Sequence, residues 1–253
     1  MVRLDEVNGI PEDKSISVIL PTRDEEDAIL PCLESIARCE GPMEILVVDG
    51  GSRDRTLERA RDFTSRSPHA TRVLSSDRTG RAAQMNFAAK EAGGAILWFV
   101  HADSRVPQDA TLAIRRALSD PRVLAGSFRF EVDSPGWKFR LLETAVATRT
   151  RWFRAPYGDQ GLFLRTDVFR RIGGYADQPI LEDLDLVRRV RKLGRMAALP
   201  QSLVTAGRRW EEHGFLATTW LHTRILIADR LGVEPETIAN WRRSRSAEGR
   251  RKG

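Results

Sequence analysis

The sequence has 253 residues, of which 41% are hydrophobic and 30% charged, a balance typical of a globular protein and not of a disordered one. No segment approaches the roughly 20 consecutive apolar residues of a membrane-spanning helix, and residues 1–14 lack the apolar core of a secretory signal. Residues 241–253 contain six basic residues and one acidic residue, so they carry +5 of the net charge of +6. The nearly neutral remainder argues against nucleic-acid binding.

The composition predicts one domain at residues 15–240, with an N-terminal extension at 1–14 and a flexible basic tail at 241–253. Cys32 and Cys39 lie close together on one predicted helix and are too few for a disulfide framework. Free thiols favour a cytoplasmic location. A peripheral position at the inner face of the membrane stays open as an alternative.

Buried strands alternate with amphipathic helices in the first half of the chain. Strands are predicted at 15–21, 43–49, 71–76 and 95–100. Helices are predicted at 24–39, where Pro31 starts or bends the helix, at 55–66 after a cap at Ser52 or Asp54, at 79–93 and at 108–120. This order implies βαβ units and an α/β fold with a mainly parallel, doubly wound sheet flanked by helices.

The second half is less regular. Strands are predicted at 123–132 and 161–165, and a further extended segment at 196–207. Helices are predicted at 137–157, 182–194 and 215–232, so the fold should end in a C-terminal helical segment.

Polar residues follow three of the predicted parallel strands. The first strand runs into Thr22-Arg23-Asp24-Glu25, the second into residues 49–54 and the fourth into His101-Ala102-Asp103-Ser104. The carboxyl ends of parallel strands share one edge of a sheet, where open α/β sheets bind ligands. We therefore expect a nucleotide site at this edge, although Asp and Ser in such loops also cap helices.

These loops resemble the nucleotide-recognition half of family-2 glycosyltransferases, and most closely the small stand-alone bacterial members. The motifs are SVILPTRDEE, ILVVDGGSRDRT and WFVHADS, and the resemblance continues through GDQGLFLR, LEDLDLVRRVRKLG and GRRW. It implies an A-type glycosyltransferase fold, with a Rossmann-like nucleotide-binding half at 15–120 and an acceptor half at 121–240. It also implies a nucleotide-sugar donor, with UDP favoured over GDP, a hydroxyl acceptor, a divalent metal, and inversion at the anomeric carbon.

The resemblance assigns nucleotide contacts to residues of the first half. Pro21 and Thr22 would line the base through their backbone, and Glu25 and Ala102 would also belong to the nucleotide site. Asp49 would accept a hydrogen bond from the base, or alternatively cap the following helix. Arg81 would face the diphosphate, or alternatively be an exposed helical arginine. Asn86 is expected to pack its helix rather than to bind a ligand.

The resemblance also implies a Mn²⁺ or Mg²⁺ site at His101-Ala102-Asp103, where the family has a D-x-D triplet. Asp103 matches the second carboxylate, and His101 replaces the first. Hard cations prefer oxygen ligands, and Mn²⁺ also tolerates histidine. His101 and His213 are candidate additional ligands, with a hydrogen-bonded structural role as the alternative for His101.

The catalytic residues implied are Glu182 and Asp183, which match the acidic base motif of the family. Asp183 would be the general base that activates the acceptor hydroxyl. Glu182 and Asp185 would orient the acceptor, and any of these acids could instead stabilise the helix N-terminus. Contacts to the donor sugar or the acceptor are assigned to Asp159, Gln160, Arg209 and Trp210.

Several alternatives remain open at this stage. A sugar-phosphate nucleotidyltransferase uses a similar sheet, and a non-catalytic nucleotide-binding protein would fit the missing first carboxylate. Residues 137–154 combine aromatic and basic residues, as an interfacial membrane helix does. The same segment could instead pack on the sheet or on a second subunit in a homodimer, which is the interpretation we favour, with a water-soluble acceptor preferred over a lipid phosphate.

Overall fold

The computed structural model describes residues 15–78, 80–153, 156, 158–208, 210 and 214–241. The strands are β1 Ile16–Thr22, β2 Met43–Asp49, β3 Ala70–Ser75, β4 Ile96–Phe99, β5 Ser104–Arg105, β6 Val123–Asp133, β7 Phe163–Arg165 and β8 Arg195–Ala206. The helices are α1 Ile29–Ala37, α2 Thr56–Thr64, α3 Arg81–Glu91, α4 Ala110–Ala117, α5 Trp137–Phe153, α6 Thr166–Arg171, α7 Glu182–Arg191 and α8 Phe215–Arg230. A 3₁₀ turn spans Gly158–Gln160, and residues 235–241 are also helical.

The described strands form one eight-stranded sheet with the order β3-β2-β1-β4-β7-β6-β8-β5. Strands β3, β2, β1 and β4 are parallel, as the alternation of strands and helices predicts. Strand β7 is antiparallel to both β4 and β6, β6 is parallel to β8, and β5 is antiparallel to β8. The predicted α/β class is confirmed, and the second half of the sheet is mixed because β7 inserts in the opposite direction.

The predicted strands and long helices are present, with shifts of a few residues at their ends. Helix α1 begins at Ile29, so Pro31 lies in its first turn, where a missing N–H costs nothing. Neither predicted cap of α2 is its N-cap residue, which is Arg55. Asp54 lies one residue earlier, and its Oδ1 accepts hydrogen bonds from Thr56 N at 3.0 Å and Thr56 Oγ1 at 2.5 Å. The short elements β5, the 3₁₀ turn and α6 were not predicted, because they are too short to show a periodicity.

The core lies on both faces of the sheet. One cluster joins Ile16, Val18 and Leu20 of β1 to apolar residues of α1, α2 and α4. The other joins Ile19 of β1 to α3, α6 and α7. Each cluster also includes residues from beyond position 121, among them Phe128 on the first face and Leu186 on the second. The two predicted halves therefore share their hydrophobic core.

The two cysteines are buried and not bonded to each other, as the sequence predicts. Burial raises the pKa of the Cys32 thiol and raises that of Cys39 to about 11. Both thiols therefore stay protonated near neutral pH and act as small apolar side chains.

The C-terminal helices pack on the loop that precedes α7. Ile225 and Ala228 of α8 and Ile238 form a cluster with Ile180, and Trp241 packs against it. The packed region therefore reaches Trp241, which the sequence analysis had assigned to the tail, while residues 242–253 lie outside the described part. No helix in that described part is long and apolar enough to cross a membrane.

Candidate active site

The loops after β1 and β2 are joined by hydrogen bonds between backbone and side chains. Asp24 N donates to Ser52 Oγ at 3.0 Å, and Arg53 N donates to Asp24 Oδ1 at 2.8 Å. Glu25 N donates to Thr56 Oγ1 at 2.8 Å. Asp24 has a φ of 53°, a left-handed conformation that Asp adopts more readily than most residues. These contacts make the two loops one rigid rim at the carboxyl end of the sheet.

Asp49 is buried and organises its own loop. Its carboxylate accepts hydrogen bonds from Gly51 N at 3.0 Å, from Ser52 N at 3.2 Å and from Ser52 Oγ at 2.5 Å. Asp49 therefore stabilises its own loop and does not cap the following helix, which was the structural alternative predicted from the sequence. A contact from Asp49 to a base stays a prediction.

The ends of β1 and β2 are tied together by Gln84, a residue that the sequence analysis missed. Its Nε2 donates to Thr22 O at 3.0 Å and to Val48 O at 2.9 Å. A Cβ on Gly50 would lie 2.6 Å from Gln84 Nε2, so a side chain at position 50 would displace this amide. The nearby Pro21 and Thr22 are buried, and Thr22 Oγ1 has no hydrogen-bond partner within the described ranges.

Arg81 is the first residue of α3 and lies at the opening of the site. It follows Gly80, whose φ of 112° favours glycine. The Arg81 side chain is partly buried, and its NH1 lies 3.8 Å from Glu182 Oε1. The structure therefore does not support the alternative that Arg81 is a freely solvated helical arginine. The contact also brings the catalytic candidate Glu182 to the nucleotide half.

The main pocket lies between the two halves of the chain and has a volume of about 250 Å³. Its polar wall contains predicted site residues from both halves, namely Arg81, His101, Asp103, Asp159, Glu182 and Asp183. Its apolar wall comes from the loop before α7, from Trp210 and from α8. The structure therefore brings together residues separated by about a hundred positions in the sequence.

Asp183 is held by two backbone N–H groups. Its Oδ2 accepts a hydrogen bond from Gly158 N at 2.5 Å, and its Oδ1 accepts one from Leu184 N at 2.7 Å. A Cβ on Gly158 would lie 3.1 Å from His101 Nε2 and 3.2 Å from Asp183 Oδ2. Both side chains therefore border Gly158. A carboxylate has about four acceptor positions, so Asp183 keeps capacity for a further donor.

Asp159 has a strongly shifted pKa. Burial is the main reason that its pKa is raised from the ordinary 3.8 to about 6. The guanidinium groups of Arg149 and Arg81 lower this pKa, and the neighbouring Asp183 and Asp103 carboxylates raise it. Its Oδ1 is buried and makes no hydrogen bond to any residue that the structure describes. A buried polar atom of this kind in a pocket indicates a place for a ligand hydroxyl or cation.

The candidate metal ligands His101 and Asp103 lie on the loop after β4 and line the pocket together. Within the described ranges, no three His, Cys, Asp or Glu side chains converge closely enough to hold a metal ion by themselves. Mg²⁺ and related cations are commonly held by one or two carboxylates plus substrate phosphates and water. The donor set fits a cation of that kind. His213 lies outside the described residues.

The remaining predicted site residues divide between the pocket and the interior. Trp210 lines the pocket, and its Nε1 lacks a hydrogen-bond partner among the described residues. Gln160 is turned inward, where its Nε2 donates to Phe128 O at 3.1 Å, so a sugar contact from it stays a prediction. The Ala102 side chain belongs to the core, and any nucleotide contact there would come from its backbone. Arg209 lies outside the described residues.

Two further residues connect distant segments. Asn86 exchanges both hydrogen bonds with the backbone of Tyr175, at 2.8 and 2.9 Å, which confirms its expected packing role. Glu25 Oε2 accepts a hydrogen bond from Arg208 NH2 at 3.0 Å. The second contact joins the loop after β8 to the rim after β1, so the last strand also closes on the nucleotide side of the site.

The wall of the main pocket formed by α8 was not predicted from the sequence. Leu221, His222, Ile225 and Leu226 line the pocket, together with residues 179–181. The signal that could have found this wall is the apolar character of α8 on more than one side, which a helix with a single buried face does not show.

Two known proteins match most of this chain. The "PGL/p-HBAD biosynthesis glycosyltransferase" of Mycobacterium tuberculosis is 26% identical over 254 residues, covering 90% of this chain and 98% of the relative. The "Probable glycosyltransferase YdaM" of Bacillus subtilis is 24% identical over 234 residues, covering 85% of this chain and 55% of the relative. This chain therefore spans about half the length of the Bacillus protein.

A solved structure shares the fold. It is the mannosyltransferase PcManGT from Pyrobaculum calidifontis in complex with GDP-Man and Mn²⁺, with a TM-score of 0.64 and 23% identity, covering 85% of this chain and 62% of that chain. The expected A-type glycosyltransferase fold is thereby confirmed. The family described as Glycosyl transferase family 2 matches residues 17–176, more than half of the sequence. The chain belongs to glycosyl transferase family 2.

Proposed function

We propose that the protein transfers a sugar from a nucleotide-diphosphate sugar to a hydroxyl acceptor, with inversion and with a divalent cation. A UDP-sugar is favoured over a GDP-sugar, although the similar mannosyltransferase structure holds GDP-Man and Mn²⁺. The observation that carries the proposal is the shared pocket, in which Arg81 and Asp103 of the nucleotide half face Asp159 and Asp183 of the acceptor half. Transfer needs a leaving-group site and a base on opposite sides of one sugar.

The donor diphosphate would bind at the nucleotide side of this pocket. Arg81 supplies a fixed cation there, and its 3.8 Å contact with Glu182 keeps it oriented before the donor arrives. Asp103 and His101 would hold Mn²⁺ or Mg²⁺, which when bound neutralises charge on the departing diphosphate. The mixed lining of one cation and several acids suits an anionic ligand that arrives with a metal ion.

The acceptor hydroxyl would bind next to Asp183. Asp183 accepts the hydroxyl proton while the acceptor oxygen forms its bond to the anomeric carbon. The bond from that carbon to the diphosphate oxygen breaks on the opposite face, so one displacement inverts the configuration. The hydrogen bonds from Gly158 N and Leu184 N fix the carboxylate in one orientation without using all its acceptor positions.

The test measures turnover of a panel of UDP- and GDP-sugars in Mn²⁺ buffer. Turnover is detected as the release of UDP or GDP. We expect release with at least one donor, and loss of this release in the Arg81→Gln variant. An Arg78→Gln variant is the matched control, because Arg78 pairs with exposed Asp177. Pyrophosphate production from a nucleoside triphosphate and a sugar phosphate, without activity on any nucleotide sugar, would instead support a nucleotidyltransferase. Binding without any turnover would support a non-catalytic protein.

A further inference from the structure

Helix α8 exposes a row of large apolar side chains on its outer side. Leu216, Trp220, Ile227 and, at the C-terminal end, Leu231 are between 50% and 79% exposed. At 100° per residue the four fall within about 60° of the helix circumference. We call these four residues the outer stripe. A contiguous exposed apolar surface of this kind marks an interaction site, whereas scattered apolar residues do not.

The outer stripe cannot be buried by a simple rotation of α8, because the inner side of the helix is already packed. Ile225 and Ala228 are buried against Ile180, and Asp229 pairs with Arg188 of α7. The inner side also lines the main pocket through Leu221 and Ile225. The stripe is therefore exposed in the part of the chain that the structure describes.

Helix α5 packs against the start of α8. Phe139 contacts Phe215 edge to face, with ring centroids 5.4 Å apart. Trp137 and Leu141, one turn apart on α5, are exposed, and at 100° per residue they lie on the side of α5 roughly opposite to Phe139. Within the outer stripe Trp220 is the exposed tryptophan, and tryptophan favours the boundary between water and lipid.

Two basic residues of α5 have partners within the fold. Arg140 NH1 lies 2.9 Å from Glu143, and Arg149 NH2 donates to Gln160 Oε1 at 3.3 Å. These two arginines stabilise the fold, in line with the packing interpretation that the sequence favours for this segment. The outer stripe lies on α8 instead.

Positive charge adjoins the outer stripe. The guanidinium carbon of Arg224 lies 4.9 Å from the centre of the Trp241 ring, which places the end of the described chain against α8. The sequence that follows, residues 242–253, has six basic residues and one acidic residue. A second copy docked through the same stripe would bring two such segments together and repel. An anionic lipid surface attracts them.

We propose that the outer stripe docks α8 in the plane of an anionic membrane surface without crossing it. The occupant is a lipid bilayer because apolar side chains, an interfacial tryptophan and adjacent positive charge are the three features that such a helix requires. Docking would place the main pocket beside the bilayer, since the inner side of the same helix lines it. The binding itself does not depend on the proposed transfer reaction.

The experiment is co-sedimentation with vesicles of phosphatidylcholine mixed with phosphatidylglycerol, compared with pure phosphatidylcholine, at physiological salt. The test variant is Trp220→Ser, Ile227→Ser and Leu231→Ser combined. The control is Phe87→Ser with Leu112→Ser, which removes exposed apolar side chains from α3 and α4. We expect the wild type and the control to sediment with the anionic vesicles, and the test variant to partition at least about tenfold less.

Three results would overturn the proposal: a wild type that stays in the supernatant, a test variant that sediments like the wild type, and a control that loses binding equally. A wild-type dimer that the test variant converts to a monomer, measured by sedimentation velocity without lipid, would also overturn it in favour of self-association. Thermal melts of all three proteins establish that they are folded. Release of UDP or GDP is measured separately, so a failure of the proposed transfer leaves the vesicle result intact.

Discussion

The backbone N–H of Gly158 donates a hydrogen bond to Asp183 Oδ2 across 2.5 Å, and it thereby joins the 3₁₀ turn after α5 to the first turn of α7. The two residues belong to different motifs, and neither motif by itself shows that they meet. The contact orients the proposed base with a main-chain donor, which no substitution at position 158 other than proline removes. A side chain added at this position would therefore test steric crowding of the site and not the loss of this hydrogen bond.

Replacing Gly158 by Ala should disturb the base. The added Cβ would lie 3.1–3.2 Å from His101 Nε2 and Asp183 Oδ2, so one of these side chains must move. We expect kcat to fall by a factor of about 10 to 100 with donor affinity little changed. The control is Gly93→Ala, where the nearest atom to the new Cβ is 3.5 Å away. Equal kinetics for the two variants would show that the site tolerates displacement at Gly158.

Asp183→Asn removes the ability to take a proton. Its single amide oxygen can keep the contact with Gly158 N or with Leu184 N, but not both. We expect kcat to fall by about 100-fold or more, with donor affinity preserved. Asp185→Asn is the matched control, because Asp185 lies in the same helical turn and pairs with Arg189 at 2.6 Å. Steady-state kinetics that show similar kcat values for both variants would leave Asp183 as a structural acid of the helix start.

Asp103→Ala should abolish the effect of metal on nucleotide binding while leaving the fold intact. Asp103 is the carboxylate at the end of β4 that matches the family's metal position. The measurement is the affinity for UDP and GDP by calorimetry, with Mn²⁺ and with a chelator. Asp177→Ala, an exposed carboxylate paired with Arg78, controls for general loss of negative charge. If Mn²⁺ increases the nucleotide affinity of Asp103→Ala as much as that of the wild type, the assignment is contradicted.

Asp159 should make the stability depend on pH in a definite direction. Its pKa is raised from 3.8 to about 6, so between these values the unfolded chain loses a proton that the folded protein keeps. This contribution to stability is complete below the lower value and is lost as the pH rises through the upper one. Asp159→Asn has no such proton, so its stability relative to the wild type should increase from about pH 4 to about pH 7.5, by on the order of 1–3 kcal/mol.

Urea unfolding of both proteins at the two pH values, in the presence of a chelator, measures this difference. The chelator removes any bound cation, which would itself lower the pKa of a nearby carboxyl. A difference in unfolding free energy that is the same at both pH values would mean that Asp159 has the same pKa in the folded and the unfolded protein.

Deleting residues 242–253 should leave the melting temperature and donor turnover nearly unchanged. The deleted segment has a single apolar residue, Ala247, so it has little surface to bury. Differential scanning calorimetry with the donor assay gives both quantities. A drop of several degrees in the melting temperature would show that the segment packs on the domain.

Local patterns in the sequence were sufficient for most of the secondary structure and for the identity of the acids in the site. The four parallel strands follow mainly from short apolar runs and the helices between them from a period of 3.6 residues, and neighbouring residues alone determine both signals. The motifs around Asp103, Asp159 and Asp183 were visible for the same reason, since each is continuous in the chain. The short β5 and α6 were not visible, because two to six residues contain too little periodicity.

What the sequence by itself determined is therefore the order of the elements and the chemistry at the strand ends. The tertiary structure decided which of those groups are used. It occupies Asp49 with its own loop, turns Gln160 and Arg149 inward, sets Gly158 against Asp183, and adds α8 as a wall with an exposed outer stripe. These outcomes depend on contacts between residues far apart in the chain. The packing of whole helices and strands sets such contacts. A local sequence pattern does not identify the distant residue that a side chain contacts.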